Sequence, residues 1–429
     1  MSKTPLKIAI AGLGTVGGGT VELLHDQAET LAARAGRPLT LVGAAALIKP
    51  DTAALAGVPF FTDARAMAKE CDYDVLVELI GGASGIALEV VRTALERGRS
   101  VVTANKAMIA HHGIELARLA EKTGANIGFE ASVGGGIPII KSLREGLSGN
   151  HVTKVMGILN GTCNYILTTM RDQGRDFADV LAEAQKLGYA EADPTFDIDG
   201  IDTAHKLAIL ASLAFAMPIN LDGVACEGIR HVSALDIGYA DELGYRIKLL
   251  GVAAVTEAGI EARVYPAMVP LSFPLAHVSG PFNAIVTEGD FVGRTVLEGR
   301  GAGARPTASA VVADLMDLAC GRVMPAFGVA VDTLEVRPAA PAGAHRSAYY
   351  IRLMVKDEPG VFADIAAALR DEKVSMEQII QRGRAPNQTV PVVMTVHETD
   401  EASMLRAVDR LNALASIAEQ PRLIRIENL

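Results

Sequence analysis

Short apolar runs alternate with longer amphipathic stretches over the first 130 residues of the chain. The apolar runs predict strands at residues 6–11, 39–46, 75–79, 101–103 and 126–129. Apolar positions at helical spacing predict helices at 20–35, 84–97 and 113–122. Alternation of this kind is typical of an α/β domain whose parallel sheet carries helices on both faces.

The remainder of the chain follows a different pattern. Between about 140 and 335 we predict helices at 177–187 and 202–216, and strand-like runs such as 262–269 favour an α+β domain with an antiparallel sheet. The segment 337–347, RPAAPAGAHRS, is rich in Pro, Ala and Gly and is typical of a linker. Strand, helix, strand, strand, helix and strand then follow, at 349–355, 361–372, 375–381, 389–396, 401–415 and 422–426. This order is that of a ferredoxin-like βαββαβ unit.

Charge and composition narrow the class of partner. The 429 residues carry a net charge of −10, which argues against nucleic acid or an anionic membrane as a partner. The longest apolar stretch, 207–219, is shorter than the ~20 residues that span a bilayer and contains Pro218. The cysteines are widely spaced and form neither a CxxC pair nor a disulfide framework. We therefore expect a cytoplasmic protein.

A glycine-rich turn follows the first predicted strand and opens a helix. It consists of Gly12, Leu13, Gly14, Thr15, Val16 and Gly17. In this context Gly12 allows the tight turn, Gly14 lets the backbone approach a pyrophosphate, and Gly17 lets the helix pack on the strand. The helix N-terminus adds donors and a partial positive charge. The turn therefore predicts a Rossmann-type, dinucleotide-binding domain.

The end of the second predicted strand bears on which dinucleotide is bound. An Asp or Glu about 20 residues after the glycines would hold the ribose hydroxyls of NAD. Residues 44–49 instead read AAALIK, and no carboxylate precedes Asp51. Lys49 favours NADP, because it would face the 2′-phosphate. The alternative is a solvated loop lysine, and NAD stays open.

The densest group of polar residues lies between two predicted helices, at 188–206. Asp202 and Lys206 are four residues apart, so they share one helix face. As an ordinary surface pair they would stabilise the start of the helix. Lys206 is, however, followed at once by a strongly apolar helix, and burial lowers the pKa of a lysine into a range useful for proton transfer.

The spacing of residues 184–206, A-x3-G-aromatic-x-E-x-D-P-x2-D-aliphatic-x-G-x-D-x3-K, closely resembles the signature of the homoserine dehydrogenase family. The opening glycine turn extends the resemblance, as do 103–106 (TANK), 130–138 (EASVGGGIP), 160–165 (NGTCNY) and 299–307 (GRGAGARPT). The sequence departs from the family at the end of the second strand, where many relatives carry an Arg. The choice between NADP and NAD therefore stays open.

The resemblance implies a reaction and a set of site residues. The enzyme would interconvert aspartate 4-semialdehyde and L-homoserine with a nicotinamide cofactor, in threonine, methionine and isoleucine biosynthesis. Lys206 would donate and accept the proton, Asp202 would hold that lysine or the substrate, and Lys106 would place a second ammonium near the developing alkoxide. The implied substrate site is Thr162, Tyr189, Glu191, Asp197, Asp202 and Lys206, with Glu191 and Asp197 holding the substrate ammonium. The implied cofactor site is Gly12, Leu13, Gly14, Thr15, Val16, Gly17, Lys49, Thr103, Lys106, Gly188 and Gly303.

The motif at 130–138 also resembles the monovalent cation site of the family. The side chain or carbonyl of Glu130, with the carbonyls of Val133, Gly135 and Ile137, would hold a hard cation such as Na⁺. Oxygen ligands from a glycine-rich turn suit that chemistry. A structural glycine turn without an ion is the alternative.

The first strand–helix turn of the C-terminal unit, with Asp357, Pro359 and Gly360, resembles the ACT domain of amino-acid-regulated enzymes. Feedback by L-threonine is implied, and a purely structural dimerisation module is the alternative. We expect a homodimer or homotetramer, because the antiparallel sheet and the ACT unit both present edges that partner chains cover.

Pattern and resemblance together predict four segments. They are a nucleotide-binding domain (1–135), a catalytic and dimerisation domain (136–335), a linker (336–348) and an ACT domain (349–429). A helix within 308–330 is expected to pack back on the first domain.

Two other functions stay open at this point. Cys163 would be the nucleophile of a semialdehyde dehydrogenase acting through a thioester, although such a cysteine needs an adjacent base and the nearest histidine in sequence is His151. Alternatively, the nucleotide-binding and amino-acid-binding domains would form a non-enzymatic sensor. A sensor would leave Lys206 and its carboxylates without a role.

Overall fold

The first of three packed units is built on a parallel sheet. The computed structural model describes residues 4–341, 343–382 and 388–427. The strands of the first unit are β1 (Leu6–Ala11), β2 (Leu39–Ala45), β3 (Phe60–Phe61), β4 (Val75–Glu78), β5 (Ser100–Thr103) and β6 (Ile127–Gly128), in the order β3-β2-β1-β4-β5-β6. The connecting helices are α1 (Thr15–Asp26), α2 (Ala28–Ala35), α3 (Ala64–Glu70), α4 (Ile86–Glu96) and α5 (Lys106–Thr123). This order confirms the Rossmann-type sheet, whose ligand crevice lies beyond the carboxyl ends of β1 and β4.

Helix boundaries in the first unit differ from the predicted ones. The predicted helix 20–35 is two helices, α1 and α2, which meet at Gln27. The predicted helix 113–122 is only the second half of α5. Helix α5 begins earlier because the Asn105 side chain accepts the backbone N–H of Met108 at 3.0 Å and so caps its first turn.

The middle unit is α+β, as predicted. Its strands are β7 (Val152–Ile158), β8 (Ala225–Cys226), β9 (Tyr245–Thr256), β10 (Gly259–Pro270), β11 (Phe282–Gly289) and β12 (Gly293–Arg300). An antiparallel sheet runs in the order β12-β11-β7-β9-β10, and β8 pairs in parallel with β10. The helices are α6 (Ile139–Lys141), α7 (Gly161–Gln173), α8 (Phe177–Lys186), α9 (Thr195–Ile198), α10 (Ile201–Phe215), α11 (Ala234–Glu242) and α12 (Ala304–Cys320). Helix α10 lies against β7, β9 and β10, so nearly every residue along it is buried.

Helix α12 leaves the middle unit and packs on α1 of the first unit. The approach is close: a Cβ at Gly19 would lie 2.9 Å from the carbonyl oxygen of Ala304. Val311 and Leu315 of α12 are buried in the same apolar cluster as Ile8 and Ile10 of β1. The last helix of the middle unit is therefore part of the core of the nucleotide-binding unit.

The C-terminal unit has the predicted ferredoxin-like order. Its elements are β13 (Arg346–Lys356), α13 (Val361–Asp371), β14 (Met376–Gln381), β15 (Thr389–Asp400), α14 (Glu401–Asn412) and β16 (Arg422–Ile426). The sheet runs in the order β16-β13-β15-β14 with antiparallel neighbours. Strand β16 also pairs in parallel with β10, through Ala267 with Arg425 and Met268 with Ile426. The sheets of the middle and C-terminal units are therefore continuous.

The segment predicted as a linker also contacts β10. The N–H of Ile260 donates to the carbonyl of Pro338 at 2.8 Å, and the N–H of Ala340 donates back to Ile260 at 2.8 Å. In the described part of the chain, no helix is long and apolar enough to cross a bilayer.

Candidate active site

The glycine turn after β1 has the geometry of a pyrophosphate site. A Cβ at Gly12, whose φ is +100°, would lie 2.5 Å from the backbone of Leu79, and one at Gly17 would lie 2.0 Å from the Gly12 carbonyl oxygen. A Cβ at Gly14 would meet no described atom within 4 Å. No described side chain caps α1, so its first-turn N–H groups are available to an anion. The residues present therefore fit a dinucleotide.

The other residues of this turn differ in exposure. Leu13 and Val16 pack against the apolar cluster of the first unit, and Thr15 is exposed. Lys49 lies beyond the end of β2, exposed, with its ammonium 5.8 Å from the centre of the Phe60 ring. The structure thus places Lys49 at the strand end where the ribose side of a dinucleotide is read.

A buried carboxylate, which the sequence interpretation missed, organises the carboxyl ends of β4 and β5. Glu78 is fully buried and accepts the N–H groups of Ile80 at 2.8 Å and Gly81 at 3.0 Å. The hydroxyl of Thr103 donates to Glu78 at 2.6 Å and accepts the N–H of Asn105 at 3.0 Å. Thr103 therefore ties the loop after β4 to the start of α5, where Lys106 is the first helical residue.

Lys106 and Lys206 meet at one carboxylate. The Lys106 ammonium is 2.7 Å from Oδ1 of Asp202, and the Lys206 ammonium is 2.7 Å from Oδ2. Lys206 also donates to the carbonyl of Leu159 at 2.7 Å. Lys106 comes from α5 of the first unit and the other two from α10 of the middle unit, so the two units meet at this cluster. The side chain of Lys106 is 33% exposed, whereas that of Lys206 is 11% exposed, so Lys106 lies nearer the surface.

Asn160 joins two carboxylates of the cluster, a role that the sequence interpretation did not assign. Its amide donates to Asp197 at 2.8 Å and to Asp202 at 2.9 Å. Its carbonyl oxygen caps α7 by accepting the N–H of Cys163 at 2.8 Å. The available signal was its position immediately before a helix, where Asn is a preferred cap.

Burial and neighbouring charges act in opposite directions on the pKa values of these groups. Burial disfavours the charged form of Asp202, but the ammonium groups of Lys206 and Lys106 more than compensate, and its pKa lies well below the usual value. Burial lowers the pKa of Lys206, and the Asp202 carboxylate offsets only part of this effect. Burial raises the pKa of Asp197, which the hydrogen bond from Asn160 opposes. The cluster therefore contains a carboxylate that stays ionised, beside a lysine that gives up its proton more readily than a solvated lysine does.

Aromatic side chains surround the exposed end of the cluster. The Lys106 ammonium is 5.6 Å from the centre of the Phe196 ring. His205 meets Phe196 and His111 edge to face, at centroid distances of 5.4 Å and 5.3 Å. Burial lowers the pKa of His205. Phe196 therefore contacts both the Lys106 ammonium and the His205 ring.

The remaining predicted substrate residues lie at the start of α7 and after α8. The Thr162 hydroxyl donates to the carbonyl of Tyr189 at 2.7 Å, and the Tyr189 ring packs against Tyr165 at 4.7 Å. Glu191 is exposed, and within the described residues its carboxylate makes no ion pair or hydrogen bond. The structure thus brings Asp197, Asp202, Lys106 and Lys206 together, and leaves Glu191 outside their hydrogen-bonded network.

Two glycines assigned to the cofactor site both have positive φ, which favours glycine. Gly188 follows α8 with a φ of +75°, and Gly303 precedes α12 with a φ of +118°. Both are exposed.

The geometry opposes a nucleophilic role for Cys163. Its side chain is fully buried, and its thiol donates to the carbonyl of Asp197 at 3.2 Å. Burial raises the pKa of this thiol well above its usual value, and the nearby Asp197 carboxylate raises it further. A protonated, inaccessible thiol is a poor nucleophile.

The predicted cation residues form a turn that packs against another loop. The Glu130 carboxylate accepts the N–H groups of Ile140 at 2.9 Å and Lys141 at 2.8 Å, so its side chain caps α6. Burial raises the pKa of Glu130 to about 7. Val133 and Ile137 are buried, and a Cβ at Gly135 would lie 2.5 Å from the backbone of Gly301. Backbone carbonyls, including that of Glu130, are therefore the ligands that this turn offers to a cation.

The turn predicted to bind an amino acid lies at the start of α13. Asp357 donates its backbone N–H to Gln388 at 3.0 Å. Pro359 and Gly360 are exposed, and Gly360 has a φ of +96° as it opens the helix.

Comparison with family models covers all three units. Residues 138–316 match the model described as homoserine dehydrogenase, and residues 12–130 match the model described as homoserine dehydrogenase, NAD binding domain. Residues 349–416 match the ACT domain model.

Individual proteins match over the whole chain. A homoserine dehydrogenase of Pseudomonas aeruginosa is 46% identical over 99% of each chain. The crystal structure of a homoserine dehydrogenase from Thiobacillus denitrificans matches with a TM-score of 0.93 and 44% identity, over 100% of this chain and 99% of that one. A hyperthermophilic archaeal homoserine dehydrogenase in complex with NADPH matches with a TM-score of 0.62 and 29% identity, over 73% of this chain and 97% of that one.

Proposed function

The chain belongs to the homoserine dehydrogenase family of oxidoreductases, and on this premise we propose that Lys206 donates and accepts the proton in the interconversion of L-aspartate 4-semialdehyde and L-homoserine. The observation that carries the proposal is the pair of lysines on the Asp202 carboxylate. Burial lowers the pKa of Lys206, which makes its proton easier to transfer than that of a free lysine. An ordinary surface lysine would have neither property.

Each polar group of the cluster has a distinct task in this proposal. A nicotinamide cofactor held by the glycine turn would supply hydride for the aldehyde carbon. Lys206 gives its proton to the carbonyl oxygen during reduction and takes it back during oxidation. Lys106 places a positive charge where the alkoxide develops, and Asp202 holds both ammonium groups in position. Asn160 donates to both Asp202 and Asp197 and so fixes the two carboxylates relative to each other.

Substrate recognition in this proposal uses Asp197 and Glu191 for the ammonium group. Asp197 is fixed by Asn160, whereas Glu191 is exposed and free to close on the substrate. In this proposal Thr162 and Tyr189, joined by a hydrogen bond, line the substrate pocket. We expect Asp197→Asn to raise the KM for homoserine more than the KM for the cofactor.

The direct test is the rate of nicotinamide reduction with L-homoserine. Lys206→Ala should lower kcat by about 10²–10⁴-fold, the usual contribution of a positioned acid or base. Lys122→Ala, in the exposed last turn of α5, is the matched control and should retain the wild-type rate. A Lys206→Ala enzyme with kcat within about tenfold of wild type would contradict the proposal.

We propose NADP as the preferred cofactor. Lys49 at the end of β2 supports this preference, as does the NADPH complex of the archaeal relative. Lys49→Ala should raise the KM for NADP and leave that for NAD unchanged, and Lys49→Arg should retain the preference. Equal kcat/KM for both cofactors in the wild-type enzyme would contradict it.

We propose that the turn 130–137 binds a monovalent cation, Na⁺, through backbone carbonyls of Glu130, Val133, Gly135 and Ile137. The glycine-rich turn and the engaged Glu130 side chain support carbonyl ligation. Thermal unfolding in NaCl and in tetramethylammonium chloride at equal ionic strength tests it. A higher Tm in NaCl is expected, and equal Tm values would contradict a bound ion.

We propose feedback by L-threonine at the turn of Asp357, Pro359 and Gly360, in an enzyme of threonine, methionine and isoleucine biosynthesis. The match to the ACT domain model supports small-molecule regulation. L-Threonine should lower the wild-type rate, and Asp357→Asn should weaken that inhibition. An unchanged rate at saturating L-threonine would contradict feedback.

We propose the division into 1–135, 136–335, 336–348 and 349–429 as functional domains, assembled as a homodimer or homotetramer. Strand β12 lies at the end of the continuous sheet and exposes Val296, which supports an interface there. Analytical ultracentrifugation should give the mass of a dimer or tetramer, and a monomer would contradict the assembly.

A further inference from the structure

A polar pocket of about 180 Å³ lies at the seam between the middle and C-terminal units. Its lining includes Glu261, Arg263 and Tyr265, which alternate along β10. The intervening Val264 lies toward Gly200 just before α10. Because successive side chains of a strand point to opposite faces, the pocket lies on the face of the sheet away from α10 and Lys206. It is therefore separate from the proposed active site.

Two nitrogen groups in this seam pocket lack strong partners. Lys154 of β7 has its ammonium 3.7 Å from Glu427, and it makes no hydrogen bond to another described residue. His345 has Nδ1 2.7 Å from Oε1 of Glu261, an ion-pair distance, and the neighbouring carboxylate favours the tautomer with the proton on Nδ1. Its Nε2 is buried and has no partner among the described residues. Buried polar atoms are normally hydrogen-bonded, so an unpartnered one that lines a pocket points to a ligand.

The charges that line the pocket are balanced. The cations are Lys154, Arg263 and Arg346, and the anions are Glu261, Glu398 and Glu427. Arg346 and Glu398 form a 3.0 Å pair at the mouth, where their side chains are 63% and 50% exposed. The weakly paired Lys154 ammonium is available to an anionic group of a ligand, and the exposed Glu398 carboxylate is available to a cationic one.

We propose that the seam pocket binds a small zwitterion of the α-amino-acid type. The ligand carboxylate faces the Lys154 ammonium. The ligand ammonium faces Glu398 and Nε2 of His345, which accepts a hydrogen bond when the proton is on Nδ1. The pocket is smaller than the roughly 300–1,000 Å³ of drug-sized ligand sites, which limits the occupant to a small metabolite. The site lies roughly 35 Å along β13 from the turn of Asp357, at about 3.3 Å per residue.

Such a ligand would contact both units at once. Lys154 and Arg263 belong to strands of the middle unit, and His345, Arg346 and Glu398 belong to the C-terminal segment. A ligand that binds only the docked arrangement stabilises it by mass action. Binding therefore strengthens the junction through which β10 and β16 join the two sheets.

Calorimetric titration of the full-length enzyme tests the proposal. The probes are L-amino acids with uncharged side chains, from alanine to methionine but without threonine, added singly. At least one should bind with Kd below about 1 mM. Its amide and its N-acetyl derivative, which each lack one charge, should bind at least about tenfold more weakly. No binding by any of them, or equal binding of the amide, would overturn the proposal.

Single substitutions test whether the amino acid binds in the seam pocket. Lys154→Met and Glu398→Gln should each weaken binding at least about tenfold, and the exposed Glu398 can be changed at little cost in stability. Asp357→Asn at the ACT turn and Asp197→Asn in the proposed active site should bind as wild type does. Binding that is lost in Asp357→Asn or Asp197→Asn, and retained in the seam variants, would overturn the seam site. Because binding is the readout, this outcome does not depend on the catalytic proposal.

Discussion

Two buried aspartates of the middle unit are held by different cations. Asp202 is 3% exposed and Asp236 is 1% exposed, and each lies in the first turn of its helix. The ammonium groups of Lys106 and Lys206 lie at the two oxygens of Asp202. Asp236 is held by an arginine. The two carboxylates are therefore similarly buried, but lysines hold one and an arginine holds the other.

The Asp236 site is closed and fully paired. Arg352 of β13 donates from Nε to Oδ1 at 2.6 Å and from Nη2 to Oδ2 at 3.3 Å. Tyr350 donates to the same carboxylate at 3.1 Å, and Ser233 completes a capping box with it. Burial opposes the charge of Arg352, but its hydrogen bond to Asp236 wins, and its pKa is raised. Arginine thus locks the C-terminal unit to α11.

The Asp202 site keeps a cation able to release its proton. Lysine is a point charge whose pKa shifts when it is buried, whereas the planar guanidinium stays charged and bonds in a fixed fork. The comparison teaches that the choice of cation, and not burial alone, separates the proposed proton-transfer site at Asp202 from the structural ion pair at Asp236.

The largest effect should come from Lys206→Arg. Arginine preserves the charge opposite Asp202 but holds its proton, so kcat should fall by about 10²–10⁴-fold. Steady-state rates with homoserine measure this, and circular dichroism checks the fold. Retention of the wild-type kcat would remove the distinction between the two sites.

Asp236→Asn should lower stability and spare catalysis. Removing one partner leaves the Arg352 charge buried without compensation, which costs about 3–5 kcal/mol. Denaturant unfolding measures the loss, and kcat at low temperature should match wild type. Unchanged stability would show that the Asp236 site is not a lock.

Asp202→Asn should change the pH dependence of the rate of aldehyde reduction. The Asp202 carboxylate raises the pKa of Lys206, so its removal lowers that pKa further. In the proposed mechanism aldehyde reduction needs protonated Lys206, so the reduction rate should fall as pH rises through this pKa. In the variant this alkaline limb should therefore shift to lower pH. A limb that stays in place, or moves to higher pH, would exclude Lys206 as the titrating group.

The smallest effect should come from Arg352→Lys. The ammonium preserves the charge but loses the second bond of the fork, which costs about 1–2 kcal/mol. Denaturant midpoints compared with those of Asp236→Asn measure it. A loss as large as that of Asp236→Asn would mean that fork geometry, rather than charge, holds the junction.

The units of the fold could be predicted from the sequence because hydrophobic periodicity reports which face of each element is buried. Two-residue strands such as β3 and β8 give no periodic signal and were missed. The pairing of β10 with β16 was also missed, because the sequence of an edge strand does not indicate which distant strand pairs with it.

Within the candidate site, the sequence by itself determined the glycine turn and the pairing of Asp202 with Lys206, because both depend on local spacing. Only the tertiary structure brought Lys106 onto Asp202, placed Asn160 between two carboxylates and enclosed Cys163. The reason is physical. The pKa of a buried group depends on desolvation and on charges supplied by distant segments, and these exist only once the units have packed together.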